Sequence, residues 1–107
     1  MLEAIERVRS VTEGLTLDAF EADWQAQWLV TRGIEIISEA SRHLPEELKA
    51  RHTEIPWRKV ADIGNKLRHE YERIAADILW KVARDELDAL NEVCRRELAA
   101  IKNASDS

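Results

Sequence analysis

His69 stands between Arg68 and Glu70, with Asn65 four residues before it and Tyr71 two residues after it. On a helix Asn65 and His69 are neighbours one turn apart, because residues four apart share a face. Histidine titrates near neutrality, so it can take the proton of a ribose 2′-hydroxyl or return one to a leaving 5′-oxygen. An arginine can hold the phosphate and balance the charge that builds up in the transition state. An asparagine can position either group. Attack by an internal 2′-hydroxyl needs no metal, so the grouping suits cleavage of a ribose phosphodiester. The same residue types also fit a plain solvated helix end, with Tyr71 as a core or cap aromatic.

The element that must hold these groups starts at Pro56, which fits a first helical turn but not a helix interior. The spacing predicts a helix from Trp57 to about His69. One face would carry Trp57, Val60, Ala61, Gly64 and Leu67 into the core. A second would carry Arg58, Asp62, Asn65 and His69, spaced four, three and four. Between Trp57 and Arg73 there are five basic residues (Arg58, Lys59, Lys66, Arg68, Arg73) against three acidic ones (Asp62, Glu70, Glu72). The segment is locally positive in a chain whose formal net charge is -5. That overall charge argues against strong nonspecific nucleic-acid binding, which needs dense Lys and Arg, but it leaves room for a local basic site.

The remaining chain reads as helix almost throughout. Leu2, Ile5, Val8 and Val11 form a stripe that ends at Gly14. Thr16 is placed to cap a second start, and a long helix is expected from about Asp23 to Arg42. Gly33 inside it costs about 1 kcal/mol relative to alanine and marks a close helix crossing. Residues 45–51 suggest a short helix, acidic first and basic last, matching the helix dipole. After a loop near residues 72–75, a last helix runs from about Ala76 to Lys102. Its stripe is Leu79, Ala83, Leu87, Leu90, Cys94, Leu98 and Ile101, facing a core or a partner. Trp24, Trp28, Trp57 and Trp80 are read as core residues rather than base-stacking ones. His43 and His52 are read as solvated near turns, and Cys94 as a buried thiol.

A chain of 107 residues with three glycines and two prolines fits one helix-rich domain, residues 1–102, followed by a flexible polar tail at 103–107. The fold class expected is an all-α antiparallel bundle of four to five helices. A helical chain this small often finishes burying its apolar faces against a partner. A single cysteine excludes an internal disulfide and a cysteine-based metal cluster. His43, His52 and His69 lack metal-binding spacing, so neither a metal nor a cofactor is expected. No apolar run of about 18 residues and no leader pattern is present, which makes the cytoplasm the expected location.

The segment Gly64-Asn65-Lys66-Leu67-Arg68-His69-Glu70-Tyr71 resembles the Arg-Asn-x-Leu-x-His-x-Tyr signature of HepT-like proteins, a branch of the HEPN superfamily of small helical ribonuclease toxins. Further anchors fall in the right order: Leu2-Glu3-Ala4-Ile5, Glu35-Ile36-Ile37-Ser38-Glu39-Ala40, Leu44-Pro45, Ile55-Pro56-Trp57-Arg58, Ile78-x-Trp80 and Asp85-Glu86-Leu87. One position departs from the pattern, because the signature arginine is Gly64 here.

The resemblance implies a symmetric homodimer whose two motif copies face a shared cleft. It implies a metal-independent RNA endonuclease acting as a toxin, with a minimal nucleotidyltransferase as its antitoxin. His69 would be the catalytic histidine, Asn65 the polar residue after the missing arginine, and Tyr71 the acceptor of an AMP group from the nucleotidyltransferase. Arg68 is the nearest candidate to replace the missing cation, though it projects about 100° away from His69 around a helix. Two other readings stand beside this one. One is a catalytically silent HEPN protein that binds its nucleotidyltransferase; the other is a helical dimerisation module without chemistry.

Overall fold

The computed structural model describes residues 1–70 and 76–106. Seven α-helices and one π-helical turn account for nearly all of these: α1 (Leu2–Glu13), α2 (Leu17–Glu21), α3 (Trp24–Arg42), α4 (Glu46–Arg51), α5 (Trp57–Glu70), α6 (Ala76–Lys81), the π turn (Val82–Glu86) and α7 (Leu87–Asp106). The fold is the expected all-α, HEPN-like bundle. Its long members are α1, α3, α5 and the run from α6 through α7, while α2 and α4 are short connectors.

Local sequence explains most boundaries. Gly14 closes α1, and the N–H of the next residue, Leu15, donates to the Thr12 carbonyl at 3.0 Å. Thr16 Oγ1 accepts from the Ala19 N–H at 3.1 Å and Asp23 Oδ1 accepts from the Ala26 N–H at 3.0 Å, so side chains cap α2 and α3. Pro45 opens α4. The last helix runs to Asp106, beyond the Lys102 end that its apolar pattern suggests.

The core gathers Ile5 and Val8 from α1, Phe20 from α2, and Val30, Ile34 and Ile37 from α3. Leu67 of α5 joins them, with Leu79, Ala83, Leu87 and Leu90 from the C-terminal run. Each large aliphatic side chain buried this way stabilises the fold by about 1.5–3 kcal/mol. The π turn adds one residue per turn where Ala83 and Leu87, four apart, are both buried. Gly33 lets α1 and α3 cross closely, as expected, since a Cβ there would collide with the Val8 side chain.

Three expectations need correction. Trp24 and Trp28 are not core residues: they are 61% and 59% exposed and sit edge to face at 5.5 Å. They project from the side of α3 opposite its buried residues Ala26, Val30, Ile34 and Ile37. Trp57 and Trp80 are partly buried against the core, as expected. His52 is not solvated: its Nε2 lies 2.6 Å from Glu97 Oε1 and its Nδ1 3.4 Å from Glu54 Oε1. The apolar stripe of α7 also outruns the bundle. Cys94 Sγ meets Met1 Sδ at 3.5 Å, level with the start of α1, and beyond that level Leu98 and Ile101 are exposed. Cys94 itself is half-buried, and burial pushes its thiol pKa up.

Candidate active site

The motif helix is anchored at its first residue. Trp57 Nε1 donates to the carbonyls of Lys49 at 3.1 Å and His52 at 3.0 Å, and Val60 N–H donates to the Pro56 carbonyl at 3.0 Å. Leu67 is buried at 1% exposure. With Leu67 turned inward, Asn65, Arg68 and His69 are all exposed. The ion pairs among the described residues lie elsewhere and involve none of these three side chains. Tyr71 lies outside the described residues.

Gly64 is buried against α3, the helix that α5 packs on most extensively. Ser38 Oγ donates to the Ala61 carbonyl at 2.7 Å and accepts from the Gly64 N–H at 3.1 Å. A Cβ on Gly64 would lie 2.5 Å from Ser38 Oγ and 2.6 Å from Ser38 Cβ. Real side chains do not approach that closely, so position 64 is closed to any side chain while Ser38 stays in place. Position 64 is therefore not an open place on the surface. The position is used for helix packing.

An arginine does reach the motif helix from α3. Arg42 Nη2 donates to the Ala61 carbonyl at 2.9 Å, and its side chain is exposed. Ala61 is one turn before Asn65 and two before His69, so the Arg42 guanidinium sits at the head of the row Ala61, Asn65 and His69. Arg42 has no carboxylate partner among the described residues. The guanidinium has five N–H donors, and one bond to a carbonyl leaves donors for an anion.

The two helices run antiparallel. Arg42 and Ser38 meet Ala61, Ser38 meets Gly64, and the Cα of Glu35 lies 3.7 Å from the Cβ position of Gly64. A turn back along α3, from Arg42 through Ser38 to Glu35, thus matches a turn forward along α5, from Ala61 to Gly64. Sequence reading placed Asn65, Arg68 and His69 together, and the structure keeps them on one exposed end of α5. It missed Arg42 and gave Glu35 and Ser38 no role beyond the resemblance. The usable signal was the four-residue spacing of Ser38 and Arg42 on a helix that must face a glycine.

Comparisons with known proteins agree with this architecture. Residues 1–97 match the HepT-like family, described as "Ribonuclease HepT-like". A protein of Thermococcus cleftensis named "Probable ribonuclease HepT" is 38% identical over 88 residues, covering 82% of this chain and 80% of that protein. A Methanocaldococcus jannaschii protein named "Putative RNase MJ0127" is 33% identical over 82 residues, covering 77% of this chain and 68% of its own length. No solved structure matches the chain. The bundle with its exposed Asn65–Arg68–His69 end is that of a HEPN-like helical protein, and the chain belongs to the HepT-like ribonuclease family.

Proposed function

We propose that this chain is the toxin subunit of a HepT-like toxin–antitoxin pair and cleaves RNA. The observation that carries this reading is the exposed end of α5, which presents Asn65, Arg68 and His69, with a second cation, Arg42, two turns back at the Ala61 carbonyl. His69 removes the 2′-hydroxyl proton as the 2′-oxygen attacks the adjacent phosphorus. The P–O5′ bond breaks, and the 5′-oxygen takes back the proton from the His69 imidazolium, directly or through a water, giving a 2′,3′-cyclic phosphate and a free 5′-hydroxyl. Arg68 balances charge on the phosphoryl oxygens, and Asn65 orients the imidazole or the phosphate. The nucleophile belongs to the substrate, so the scheme has no step for a metal.

The site works in a homodimer, with two copies of the row facing one cleft. What supports pairing is unsatisfied apolar surface. Leu98 and Ile101 are exposed on α7. A groove of about 630 Å³ separates α5 from the α6–α7 run, with Ile63, Leu79 and Leu90 among its walls. Its α5 side carries Lys59 and Lys66 with Asp62 between them, and the side of the α6–α7 run carries Asp85 and Glu86. A two-fold axis would set Lys59 and Lys66 of each copy against Asp85 and Glu86 of the other.

A minimal nucleotidyltransferase is the proposed antitoxin. Transfer of AMP to Tyr71 would add bulk and negative charge two residues from His69 and so exclude RNA. The closed position 64 favours a second reading, a catalytically silent subunit that acts through assembly with the nucleotidyltransferase. Among the described residues no helix is long and apolar enough to cross a membrane, which fits action on RNA in the cytoplasm.

The test is growth on induction of this chain alone, paired with cleavage of total RNA by the purified protein, each against His69→Ala. Toxicity and cleavage that both vanish in His69→Ala support the nuclease. Intact RNA together with retained binding of the nucleotidyltransferase would select the silent subunit. Intact mass after co-expression with the nucleotidyltransferase shows whether AMP is added, and Tyr71→Phe shows whether that residue accepts it.

A further inference from the structure

Leu98 and Ile101 lie on the same stripe of α7 as Leu87 and Leu90, but the two ends of that stripe differ. Leu87 and Leu90 are buried, whereas Leu98 and Ile101 are 53% and 61% exposed. Cys94 meets Met1, at the start of α1, one turn before Leu98. Beside the stripe, the Glu97 carboxylate lies 2.9 Å from Arg51 Nη2 and 2.6 Å from His52 Nε2. These contacts fix the direction of α7 up to the point where its apolar stripe loses cover. Apolar residues at helical spacing on a rigid, exposed helix end mark a surface built to be covered.

The same chain carries an uncovered surface of the matching kind. The groove of about 630 Å³ has Val60 and Ile63 on its α5 side and Leu87 and Leu90 on its α7 side, and Ile78, 52% exposed, stands among its walls. Its charged residues are Lys59 and Lys66 against Asp62, Asp85 and Glu86. None of these has an ion-pair partner among the described residues, and neither has Lys102, which is exposed one turn after Leu98. The stripe cannot fill the groove of its own chain. Leu90 is part of the wall, and Leu98 lies eight residues farther along the same unbroken helix, about 12 Å away. A helix does not fold back on itself over that distance, so the two surfaces can meet only between copies.

We propose that the end of α7 in one copy seats Leu98 and Ile101 in the groove between α5 and the α6–α7 run of a second copy, and that the second copy does the same in return. This contact rests on the pairing proposed above and names the segment that makes it. Two anchors three residues apart on one helix face are how an amphipathic helix enters an apolar groove. Reciprocal exchange about a two-fold axis closes the contact and leaves neither surface open. Lys102 enters with the two anchors and brings a cation to a groove whose acids outnumber its lysines three to two. RNA is a poorer occupant, because apolar walls and an excess of carboxylates disfavour a phosphate backbone.

The experiment uses two full-length variants, each changed at an exposed position. Ala89 is exposed and lines the groove, so Ala89→Arg adds bulk there and a cation that opposes Lys102. Leu98→Glu charges the entering stripe. By sedimentation equilibrium each variant alone should dissociate at least about tenfold more readily than the native chain, the scale of one lost apolar anchor. A mixture of the two should pair again, because the intact α7 end of the Ala89→Arg chain meets the open groove of the Leu98→Glu chain. Native mass spectrometry, which tells the chains apart by mass, should show this mixed dimer at least about tenfold tighter than either variant with itself. Restored pairing in the mixture also excludes misfolding as the cause of dissociation. If Ala89→Arg pairs as tightly as the native chain, or if the mixture associates no better than the separate variants, α7 does not enter the groove and pairing by another face stands. If the native chain itself is a monomer at micromolar concentration, the pairing and this contact fall together.

Discussion

Ser38 occupies the space that a side chain on Gly64 would need, and its hydroxyl bridges the Ala61 carbonyl and the Gly64 N–H. The pair joins α3 to α5 through one small side chain and one absent one. Gly64→Ala is therefore expected to destabilise the fold by about 1–3 kcal/mol, as overpacking does. Ser38→Gly should make room for it. Urea denaturation of both single variants and the double should show the double more stable than the summed single losses by about 1 kcal/mol or more. Simple additivity would mean that the two residues do not constrain each other. By the same reasoning Gly64→Arg alone should misfold rather than gain activity.

The cations at the site should separate by role. Arg68→Ala is expected to lower kcat about a hundredfold, as loss of one charge-stabilising donor does. Arg42 lies two turns from His69 at the Ala61 carbonyl, so Arg42→Gln should act on RNA binding and lower the salt slope of log K by about 1. Full cleavage by Arg68→Ala would remove it from the chemistry, and an unaltered salt slope in Arg42→Gln would confine Arg42 to helix packing.

Glu97 gives the fold a pH dependence. Its carboxylate accepts from Arg51 Nη2 at 2.9 Å and lies 2.6 Å from His52 Nε2, which ties α4 and the turn after it to α7. The Arg51 bond first, and the His52 bond second, hold the Glu97 pKa below the usual carboxylate range. A carboxyl whose folded pKa is depressed stabilises the fold above its unfolded pKa, and that stabilisation is lost as pH falls through the folded value. Glu97→Gln should lower the Tm at pH 7, and the gap from the native chain should close below about pH 4. A gap of equal size at both pH values would mean that packing, not charge, is what the variant removes.

Pairing is open to a direct measurement. Light scattering at micromolar concentration should give about twice the 12.3 kDa chain mass. Leu98→Glu adds a charge to an exposed residue, so it should leave the helical content intact and shift the mass toward the monomer. A clean monomer of the native chain at that concentration would sink the shared-cleft scheme.

The sequence by itself determined the helices and the residues at the exposed end of α5. Caps at Thr16 and Asp23, the stop at Gly14 and the start at Pro56 are written in residues that act within one or two turns, so local pattern is enough to read them. Asn65, Arg68 and His69 share one end of α5 for the same reason, since helical geometry alone brings them together. Apolar spacing was less decisive. Trp24 and Trp28 have the spacing of core residues, but no helix of the described chain covers that side of α3, and Leu98 and Ile101 continue a buried stripe past the level of Met1. Only the tertiary structure decided what Gly64 means. In the sequence it is a glycine where the resemblance leads one to expect an arginine. In the bundle it is the point where α3 approaches α5 too closely for any side chain, and where Arg42 reaches across to the same helix. The junctions of Ser38 with Gly64, Arg42 with Ala61 and His52 with Glu97 span 19 to 45 positions along the chain. Pairings at that distance depend on how helices pack, which the pattern within any one helix does not contain.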